Sequence, residues 1–374
     1  MTAVPRRALI VSADIGQGHN SAGRALEEAI ARVWPDCQVR WLDALRAMGP
    51  GFAPLAWAFY ITQVQRTPRM YEFFFSAMWR HRWYLESTRK GMGSWFGRRM
   101  QGPISAFDPD VIVSTYPLGS AGLSWLRGRG RLSMPIGAWI PALCPHPSWL
   151  YRNLDITYVM HAFSLEVAVK AEPGMRVAVG ALPVRDAFAP AEQAAARERL
   201  GLGASRFVAA LCTGSLAFGR LDRAVTAVLA AGADVQAVVF CGRNERLRRE
   251  LAAGGEPPDR LRVLGWTGDM PGWMTASDVV IGNAGGATGL EAMACGRPLV
   301  MFDPIAGHGR ASAELMASAG LALLALSPTD LTATMRRLAR DPAARDRQAV
   351  FSRAGAAGRR REDDLAELTA PAGR

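Results

Sequence analysis

The sequence predicts an α/β protein made of two Rossmann-like, doubly wound domains, each a parallel sheet covered by helices. Short runs of β-branched and apolar residues alternate with alanine-rich stretches along the chain, which is typical of repeated strand–helix units. The chain has 374 residues, about twice the usual size of one domain, and 49% of them are hydrophobic. Two separate cores can therefore be buried.

Six strands are predicted in the first half. They lie at Ala8–Ser12, Gln38–Leu42, Val111–Ser114, Ile136–Ile140, Ile156–Val159 and Val177–Ala181. Pro183 and Pro190 then bracket a polar link at Leu182–Ala189, which ends this half and is expected to act as a hinge.

The second half begins with a predicted helix at Ala191–Leu200 and continues with five strands. These strands lie at Phe207–Cys212, Ala237–Cys241, Arg262–Gly265, Val279–Ile281 and Leu299–Phe302. The expected domains are residues 1–185, residues 186–345, and a C-terminal helix and tail at residues 346–374.

Charge and cysteine content narrow the classes of function. The formal net charge is +11, which favours a phosphate-bearing ligand or an anionic membrane surface. No helix-turn-helix, RNP or zinc-finger signature supports nucleic acid as a partner. The five cysteines are scattered without CxxC spacing, so neither a disulfide framework nor a metal site is expected.

The stretch Met48–Met100 interrupts the strand–helix alternation. It is rich in Phe, Tyr and Trp, and eight basic side chains are interleaved with only two acidic ones. Aromatic rings mixed with arginine are typical of a segment that lies in a membrane interface. The alternative is an ordinary helical insertion that packs its aromatic side chains inward.

The first candidate site is the loop from Ser12 to Asn20, which joins the first strand to a helix capped by Asn20 or Ser21. Gly16 and Gly18 allow a tight turn and a close approach of the backbone to a ligand. His19 then lies at a helix N-terminus, where the helix dipole favours neutral imidazole that can accept a proton. The alternative is a dinucleotide fingerprint with Asp43 as its acidic residue, although the spacing is not GxGxxG.

The second candidate site is the glycine-rich segment Val279–Pro298, where a strand ends and a helix begins near Thr288. Backbone N–H groups at such a helix start bind diphosphate. Glu291 lies one turn further and can accept hydrogen bonds from both ribose hydroxyls. The alternative for Glu291 is a capping box, because Thr288 stands three residues before it.

Two further loops follow predicted strands, at the sheet edge where ligands of such folds bind. Asp303–Arg310 follows one strand, and Cys212–Gly219 follows the first strand of the second half. The glycines and hydroxyls of the latter, at Thr213–Ser215, suit a phosphate.

Taken in order, these motifs resemble glycosyltransferase family 28, and within it the branch of monogalactosyldiacylglycerol synthases and processive diacylglycerol glucosyltransferases. The resemblance runs from about Ala8 to Leu326. The matching pieces are Ser12–His19, Asp108–Leu118, Val239–Asn244, Gly265–Met270 and Asn283–Pro298.

The resemblance implies a GT-B fold, in which two Rossmann-like domains face each other across a cleft. It also implies inverting transfer from a UDP-sugar without a metal or a further cofactor. His19 is the expected catalytic residue, and Met48–Met100 resembles the lipid-acceptor region of the branch. The expected donor-binding residues are Thr213, Gly214, Ser215, Thr267, Met270, Gly285, Gly286, Ala287, Thr288, Glu291, His308, Gly309 and Arg310. The expected acceptor-binding residues are Gly16, Gly18, Asn20, Tyr116, His146 and Trp149.

The chain departs from the family at several positions. His308 and Gly309 stand where the family has Gln-Glu to read the donor sugar. Ile140 and Pro141 stand where many members have Thr-Asp, and Tyr116 replaces a histidine. We therefore expect an altered donor or acceptor.

The expected function is transfer of a hexose from a UDP-sugar to a hydroxyl acceptor, such as the lipid diacylglycerol. The expected place is the cytoplasm, in peripheral contact with the anionic inner face of the plasma membrane. Three alternatives stay open: a soluble natural-product acceptor, a relative of UDP-N-acetylglucosamine 2-epimerase, and a non-catalytic UDP-sugar-binding protein. The sugar, the acceptor and the oligomeric state are left open by the sequence.

Overall fold

The structure is a computed structural model that describes residues 4–15, 17–356 and 358–370. These residues form two compact units. The first contains the described residues up to Asp186 together with those from Gly358 onward, and the second contains the described residues from Ala187 to Ala356. The last segment of the chain therefore belongs to the first unit, which the sequence did not indicate.

The first unit is built on a six-stranded parallel sheet with the order β2-β1-β3-β4-β5-β6. Its strands are β1 (Arg7–Ser12), β2 (Gln38–Asp43), β3 (Val111–Ser114), β4 (Ile136–Trp139), β5 (Ile156–Val159) and β6 (Val177–Val179). Both faces of the central strands are buried, as their continuous apolar runs predict for a sheet covered by helices on both sides. The strand order reverses between β1 and β3.

Seven described α-helices precede the strands of the second sheet. They are α1 (Gly18–Val33), α2 (Phe52–Arg66), α3 (Pro68–Arg80), α4 (Arg82–Phe107), α5 (Pro117–Gly128), α6 (Ala162–Ala171) and α7 (Gln193–Leu200). The last of these is the helix expected at Ala191–Leu200, and it belongs to the second unit.

The second unit has another six-stranded parallel sheet, with the order β12-β11-β10-β7-β8-β9. Its strands are β7 (Phe207–Cys212), β8 (Val235–Phe240), β9 (Leu261–Leu264), β10 (Val279–Gly282), β11 (Leu299–Phe302) and β12 (Leu323–Ala325). The order reverses between β7 and β10, where Ile281 pairs with Leu211. The sequence predicted all of these strands except β12, whose three residues lie in an alanine- and leucine-rich stretch.

Seven described helices follow α7 in this unit, and one more belongs to the first unit. They are α8 (Leu221–Leu229), α9 (Glu245–Ala252), α10 (Met270–Ala276), α11 (Ala287–Ala294), α12 (His308–Ser318), α13 (Pro328–Arg340), α14 (Pro342–Ala356) and the returning α15 (Arg361–Thr369). The last helix buries Leu365 and Leu368, and Tyr158 donates a hydrogen bond to the Asp364 carbonyl at 2.8 Å.

The stretch Met48–Met100 forms α2, α3 and most of α4. Helix α4 packs tightly on α5. A Cβ added at Gly97 would lie 3.0 Å from the Gly122 carbonyl oxygen, so only glycine allows this approach. Phe75 and Phe96 are buried, but Phe59, Phe73 and Trp83 are 64%, 65% and 71% exposed. The inward-packing alternative is therefore wrong for these three side chains. Within the described residues, no helix has the length and apolar character needed to cross a membrane.

Candidate active site

His19 lies in the first turn of α1, at the carboxyl edge of the first sheet. Its Nδ1 is 2.6 Å from the Thr115 carbonyl oxygen, and the Thr115 hydroxyl donates to the His19 carbonyl at 2.9 Å. A carbonyl oxygen only accepts, so Nδ1 of the neutral ring carries the proton. Nε2 therefore keeps its lone pair. Since Thr115 follows β3, the two residues meet where the strand order reverses.

Burial keeps the His19 ring neutral. It lowers the pKa of the imidazole from 6.5 to about 4, and the hydrogen bond with Thr115 offsets only part of this effect. The Tyr116 ring packs edge-on against it, with 5.1 Å between centroids. His19 is therefore available as a proton acceptor over the whole neutral pH range.

The loop before His19 is held by local hydrogen bonds. Gln17 adopts a left-handed conformation with φ of 65° and precedes α1 directly, so the helix begins earlier than the predicted caps Asn20 and Ser21. That prediction was wrong because the Asn20 Oδ1 instead accepts a hydrogen bond from the Ser12 hydroxyl at 2.7 Å. Gly18 is the first helical residue, and Gly16 lies outside the described residues.

Asp43 supports this loop from β2. Its carboxylate accepts backbone N–H bonds from Asp14 at 3.1 Å, Leu45 at 2.8 Å and Arg46 at 3.0 Å. Both carboxylate oxygens of Asp43 thus accept hydrogen bonds from nearby backbone N–H groups. The arrangement therefore gives no support to Asp43 as the acidic residue of a dinucleotide fingerprint.

His146 and Trp149 lie in an aromatic cluster with α3. The His146 ring is stacked on Phe75 with 3.6 Å between centroids, and Trp149 lies 6.0 Å from it. The Phe75 carbonyl accepts from His146 Nε2 at 3.0 Å, and Nδ1 faces the Ser148 hydroxyl at 2.6 Å. Both ring nitrogens of His146 thus have hydrogen-bond partners within the protein. Their predicted role in acceptor binding stays a prediction.

In the second unit, α11 begins with an uncapped N-terminus. Gly286 occupies the N-cap position and has no side chain that could accept from the first N–H groups, which belong to Ala287 and Thr288 among others. Gly285 has φ of +60°, and an added Cβ would lie 2.9 Å from the Ser312 Cβ. Only glycine suits this position. The uncapped end is a suitable place for an anion.

Glu291 does not belong to a capping box. Because α11 starts at Ala287, Thr288 is the second helical residue and not the cap, so the capping-box alternative is wrong. Glu291 is buried within the helix. Burial raises the pKa of the Cys212 thiol, and the charge of Glu291 raises it further, which places this carboxylate beside the end of β7.

Thr213 and Asn283 follow β7 and β10 at the point where the strand order reverses. They continue the register in which Ile281 pairs with Leu211. The Thr213 Oγ1 and the Asn283 Oδ1 are buried and find no hydrogen-bond partner among the described residues. Gly214 has φ of +83°, and the Ser215 carbonyl accepts from the Arg243 N–H at 2.8 Å.

The loop after β9 carries Thr267 and Met270. The Thr267 hydroxyl accepts from the Asp269 N–H at 3.1 Å, and Met270 begins α10. Trp266 stands immediately before them, 57% exposed, with the Arg243 guanidinium 5.1 Å above its ring. Sequence reasoning did not assign Trp266 a role, although a large aromatic residue directly after a strand was a usable signal.

His308, Gly309 and Arg310 form the first turn of α12. A Cβ added at Gly309 would lie 2.9 Å from the Ile305 Cβ and 3.1 Å from the Asn283 carbonyl oxygen. A longer side chain at this position would therefore displace its neighbours, which explains locally why the chain has glycine here. Among the described residues, no three His, Cys, Asp or Glu side chains converge as metal ligands do.

Comparison with protein families matches both units. Residues 19–172 match the model of monogalactosyldiacylglycerol (MGDG) synthase, and residues 207–341 match the model of glycosyl transferases group 1.

Two relatives illustrate the similarity. The processive diacylglycerol β-glucosyltransferase of Bacillus pumilus (strain SAFR-032) is 25% identical over 248 residues, which cover 65% of this chain and 64% of that enzyme. The chloroplastic monogalactosyldiacylglycerol synthase of Spinacia oleracea is 27% identical over 359 residues, with 88% and 66% covered. The chain thus matches slightly less than two thirds of each of these relatives.

Solved structures share the fold. Anabaena Alr3699/HepE, crystallised in complex with UDP-glucose, is 15% identical with a TM-score of 0.59, and 96% of this chain and 98% of that chain are covered. The glycotransferase of kitacinnamycin is 18% identical with a TM-score of 0.61, and 98% and 100% are covered. At these identities the likeness concerns the fold alone.

Proposed function

We propose that this chain, which has the GT-B fold, is a glycosyltransferase of the branch of monogalactosyldiacylglycerol synthases and processive diacylglycerol glucosyltransferases, and that it transfers a hexose from a UDP-sugar to a lipid hydroxyl. The assignment of a UDP-sugar as the donor is based on the uncapped start of α11, with Glu291 one turn inside the helix. An N-terminal end without a side-chain cap suits a diphosphate, and a carboxylate beside it suits ribose hydroxyls.

We assign the donor contacts to the loops at the carboxyl edge of the second sheet. Gly285, Gly286, Ala287 and Thr288 face the diphosphate, and Glu291 accepts from the ribose. Thr213, Gly214 and Ser215 add a second set of hydroxyl and backbone donors to the diphosphate. Thr267 and Met270 lie near the uracil, for which the exposed Trp266 ring offers a stacking surface. His308, Gly309 and Arg310 contact the sugar.

The proposed reaction is one in-line displacement, which inverts the anomeric carbon without a metal. The acceptor oxygen forms a bond to that carbon while the bond to the diphosphate oxygen breaks, and UDP leaves with the electron pair. His19 Nε2 takes the acceptor proton. The N-terminus of α11 stabilises the negative charge that develops on UDP. Gly16, Gly18, Asn20 and Tyr116 are proposed to orient the acceptor.

Binding of UDP is tested by thermal unfolding with UDP, ADP and NAD, each with and without EDTA. A ligand at 100 times its dissociation constant adds about 2.7 kcal/mol of stability, so the melting temperature should rise by several degrees with UDP. ADP and NAD should leave it unchanged, and EDTA should not alter the effect of UDP. A shift with NAD or ADP alone would contradict the donor assignment, and loss of the UDP effect in EDTA would contradict metal independence.

The proposal that the acceptor is a lipid is based on the exposed surface of α2, α3 and α4. Phe59, Phe73 and Trp83 are exposed there, among eight basic and only two acidic side chains in the stretch Met48–Met100. Exposed aromatic rings beside arginines are suited to insertion at an anionic membrane surface. We therefore propose peripheral contact of this surface with such a membrane, on its cytoplasmic side.

Sedimentation with phosphatidylcholine vesicles, with or without phosphatidylglycerol, tests this contact. The triple variant Phe59→Ser, Phe73→Ser, Trp83→Ser should bind vesicles that contain phosphatidylglycerol about tenfold more weakly than the native protein, because apolar area that enters the interface is lost. Raising salt should weaken native binding. The matched control is Val350→Ser, Phe351→Ser in the second unit, whose side chains are 55% and 54% exposed. Equal losses in both variants, or no native binding, would contradict the proposal and direct acceptor screens to soluble hydroxyl compounds.

A further inference from the structure

The loop between β7 and α8 (residues 213–220) has a conformation that needs external support. Three of its residues have positive φ: Gly214 at 83°, Ala217 at 53° and Gly219 at 89°. A left-handed conformation is unfavourable for alanine and persists only where the surroundings impose it. The loop that carries the proposed Gly214 and Ser215 contacts to diphosphate is therefore held in place by other parts of the second unit.

Two side chains, those of Asn283 and Asp303, support the second half of this loop. The Asn283 Nδ2 donates to the Phe218 carbonyl at 2.8 Å, and this hydrogen bond is buried. The Asp303 Oδ2 accepts from the Arg220 N–H at 3.0 Å. Gly219 lies between these two anchors, where an added Cβ would be 3.0 Å from the Asn283 Nδ2 and 3.2 Å from the Asp303 Oδ2. The Asn283–Asp303 pair thus fixes the second half of the loop.

The pair also joins the loops that follow three neighbouring strands. Asn283 follows β10 and Asp303 follows β11, and the Ile305 N–H donates to the Asn283 carbonyl at 2.9 Å. Together with the anchored loop after β7, these bonds connect all three loops at the carboxyl edge of the sheet. A change at either residue is therefore expected to reach the proposed diphosphate contacts.

Asn283 and Asp303 each have a feature that is unfavourable for the stability of the folded protein. Because the Phe218 carbonyl only accepts, the amide nitrogen of Asn283 must face it, and the Oδ1 is left buried without a partner among the described residues. A buried polar atom without a hydrogen-bond partner is unfavourable, because it has lost its bonds to water. Asp303 has φ of +47°, a left-handed conformation that is less favourable than right-handed backbone for any residue with a Cβ. Unfavourable features of this kind concentrate at functional sites.

We propose that Asn283 and Asp303 are positioning residues for the donor diphosphate, which they affect through the 213–220 loop. This inference rests on the proposed function, because it takes the ligand of the loop to be the diphosphate of the UDP-sugar. It predicts that loss of either anchor weakens binding of the diphosphate while recognition of the nucleoside, which uses other loops, is kept.

The test compares the dissociation constants of UDP and uridine by calorimetry for the native protein and for Asn283→Leu and Asp303→Ala. Each variant should bind UDP about tenfold more weakly, as expected for one lost hydrogen bond to the loop, with uridine affinity unchanged. Asp303→Asn keeps an oxygen that can accept from the Arg220 N–H, and it should restore UDP affinity. The matched control is Asp222→Asn, since the Asp222 carboxylate pairs with the exposed Arg220 guanidinium near the same loop.

Equal weakening of UDP and uridine in both variants, or unchanged UDP affinity in both, would overturn the positioning role. If Asn283→Leu does not fold, Gly219→Ala replaces it, because its added Cβ would push the loop away from both anchors. A native protein that binds UDP no better than uridine would instead show that the proposed donor site is wrong. The two failures are thus distinguishable.

Discussion

Replacing His19 with alanine is expected to lower kcat/KM for glycosyl transfer by about 10²–10⁴-fold. His19 Nδ1 donates to the Thr115 carbonyl, which leaves Nε2 as the basic atom of a neutral ring. No other base is proposed for the acceptor proton, so the variant must transfer it to water. The measurement is the initial rate of sugar transfer from the UDP-sugar to diacylglycerol in mixed micelles, together with UDP affinity, which should be unchanged.

The pH profile of the native enzyme gives a second test of the same role. Since burial lowers the pKa of His19 to about 4, the neutral base persists well below pH 6.5, and kcat/KM should fall only as the pH approaches 4. An acid limb near pH 6.5 would contradict this. The matched control is His161→Asn, which alters another histidine at the N-cap of α6 while keeping an oxygen that can cap the helix. If the His19→Ala variant instead transferred the sugar at nearly the native rate, His19 would have a structural role and not a catalytic one.

Replacing Glu172 with alanine is expected to destabilise the first unit by about 3–5 kcal/mol. The Glu172 side chain is fully buried and accepts hydrogen bonds from Arg89 at 2.6 Å, Arg82 at 3.0 Å and Arg152 at 2.5 Å. Burial alone would raise the pKa of this carboxyl, but the hydrogen bonds from Arg89 and the other two guanidinium groups outweigh it and lower the pKa. Arg82 and Arg152 are half exposed and can be solvated, so Arg89, which is only 10% exposed, accounts for most of the loss.

Urea unfolding followed by tryptophan fluorescence measures this effect, because nine of the eleven tryptophans lie in the first unit. Glu166→Ala is the matched control: the residue lies on α6, close to Glu172 in the chain, but it is exposed. It should change the free energy of unfolding by no more than about 0.5 kcal/mol. A loss below about 1 kcal/mol in Glu172→Ala would show that the three arginines are solvated well enough without their common carboxylate.

Most of the strands could be predicted because they are buried on both faces. Runs such as Val111–Ser114 and Val279–Gly282 have no polar alternation and end at glycine or polar residues, which distinguishes them from the neighbouring helices. The short edge strand Leu323–Ala325 carries no such signal, since its alanines and leucines suit a helix equally well. It forms a strand because its backbone pairs in parallel with β11.

The candidate sites could be found from their glycines and from their place after strands, but several roles could not. Thr288 and Glu291 fit a capping box until the start of α11 is known to be Ala287. The partners of the His146 ring nitrogens, Ser148 and Phe75, could not be read from the sequence either. Asp303 lies in a loop that the sequence marks as a candidate site, but its role could not be predicted, because its hydrogen bond reaches Arg220, 83 residues earlier in the chain.

The sequence by itself determined the two parallel α/β sheets, the resemblance to one family branch and the position of His19 at a helix start. These follow from hydrophobic patterning and glycine placement, which act over a few neighbouring residues. Only the tertiary structure decided which nitrogen of His19 keeps its lone pair, that the last helix belongs to the first unit, and how Asn283 and Asp303 hold the 213–220 loop. These depend on hydrogen bonds and burial between segments far apart in the chain, and no local pattern records them.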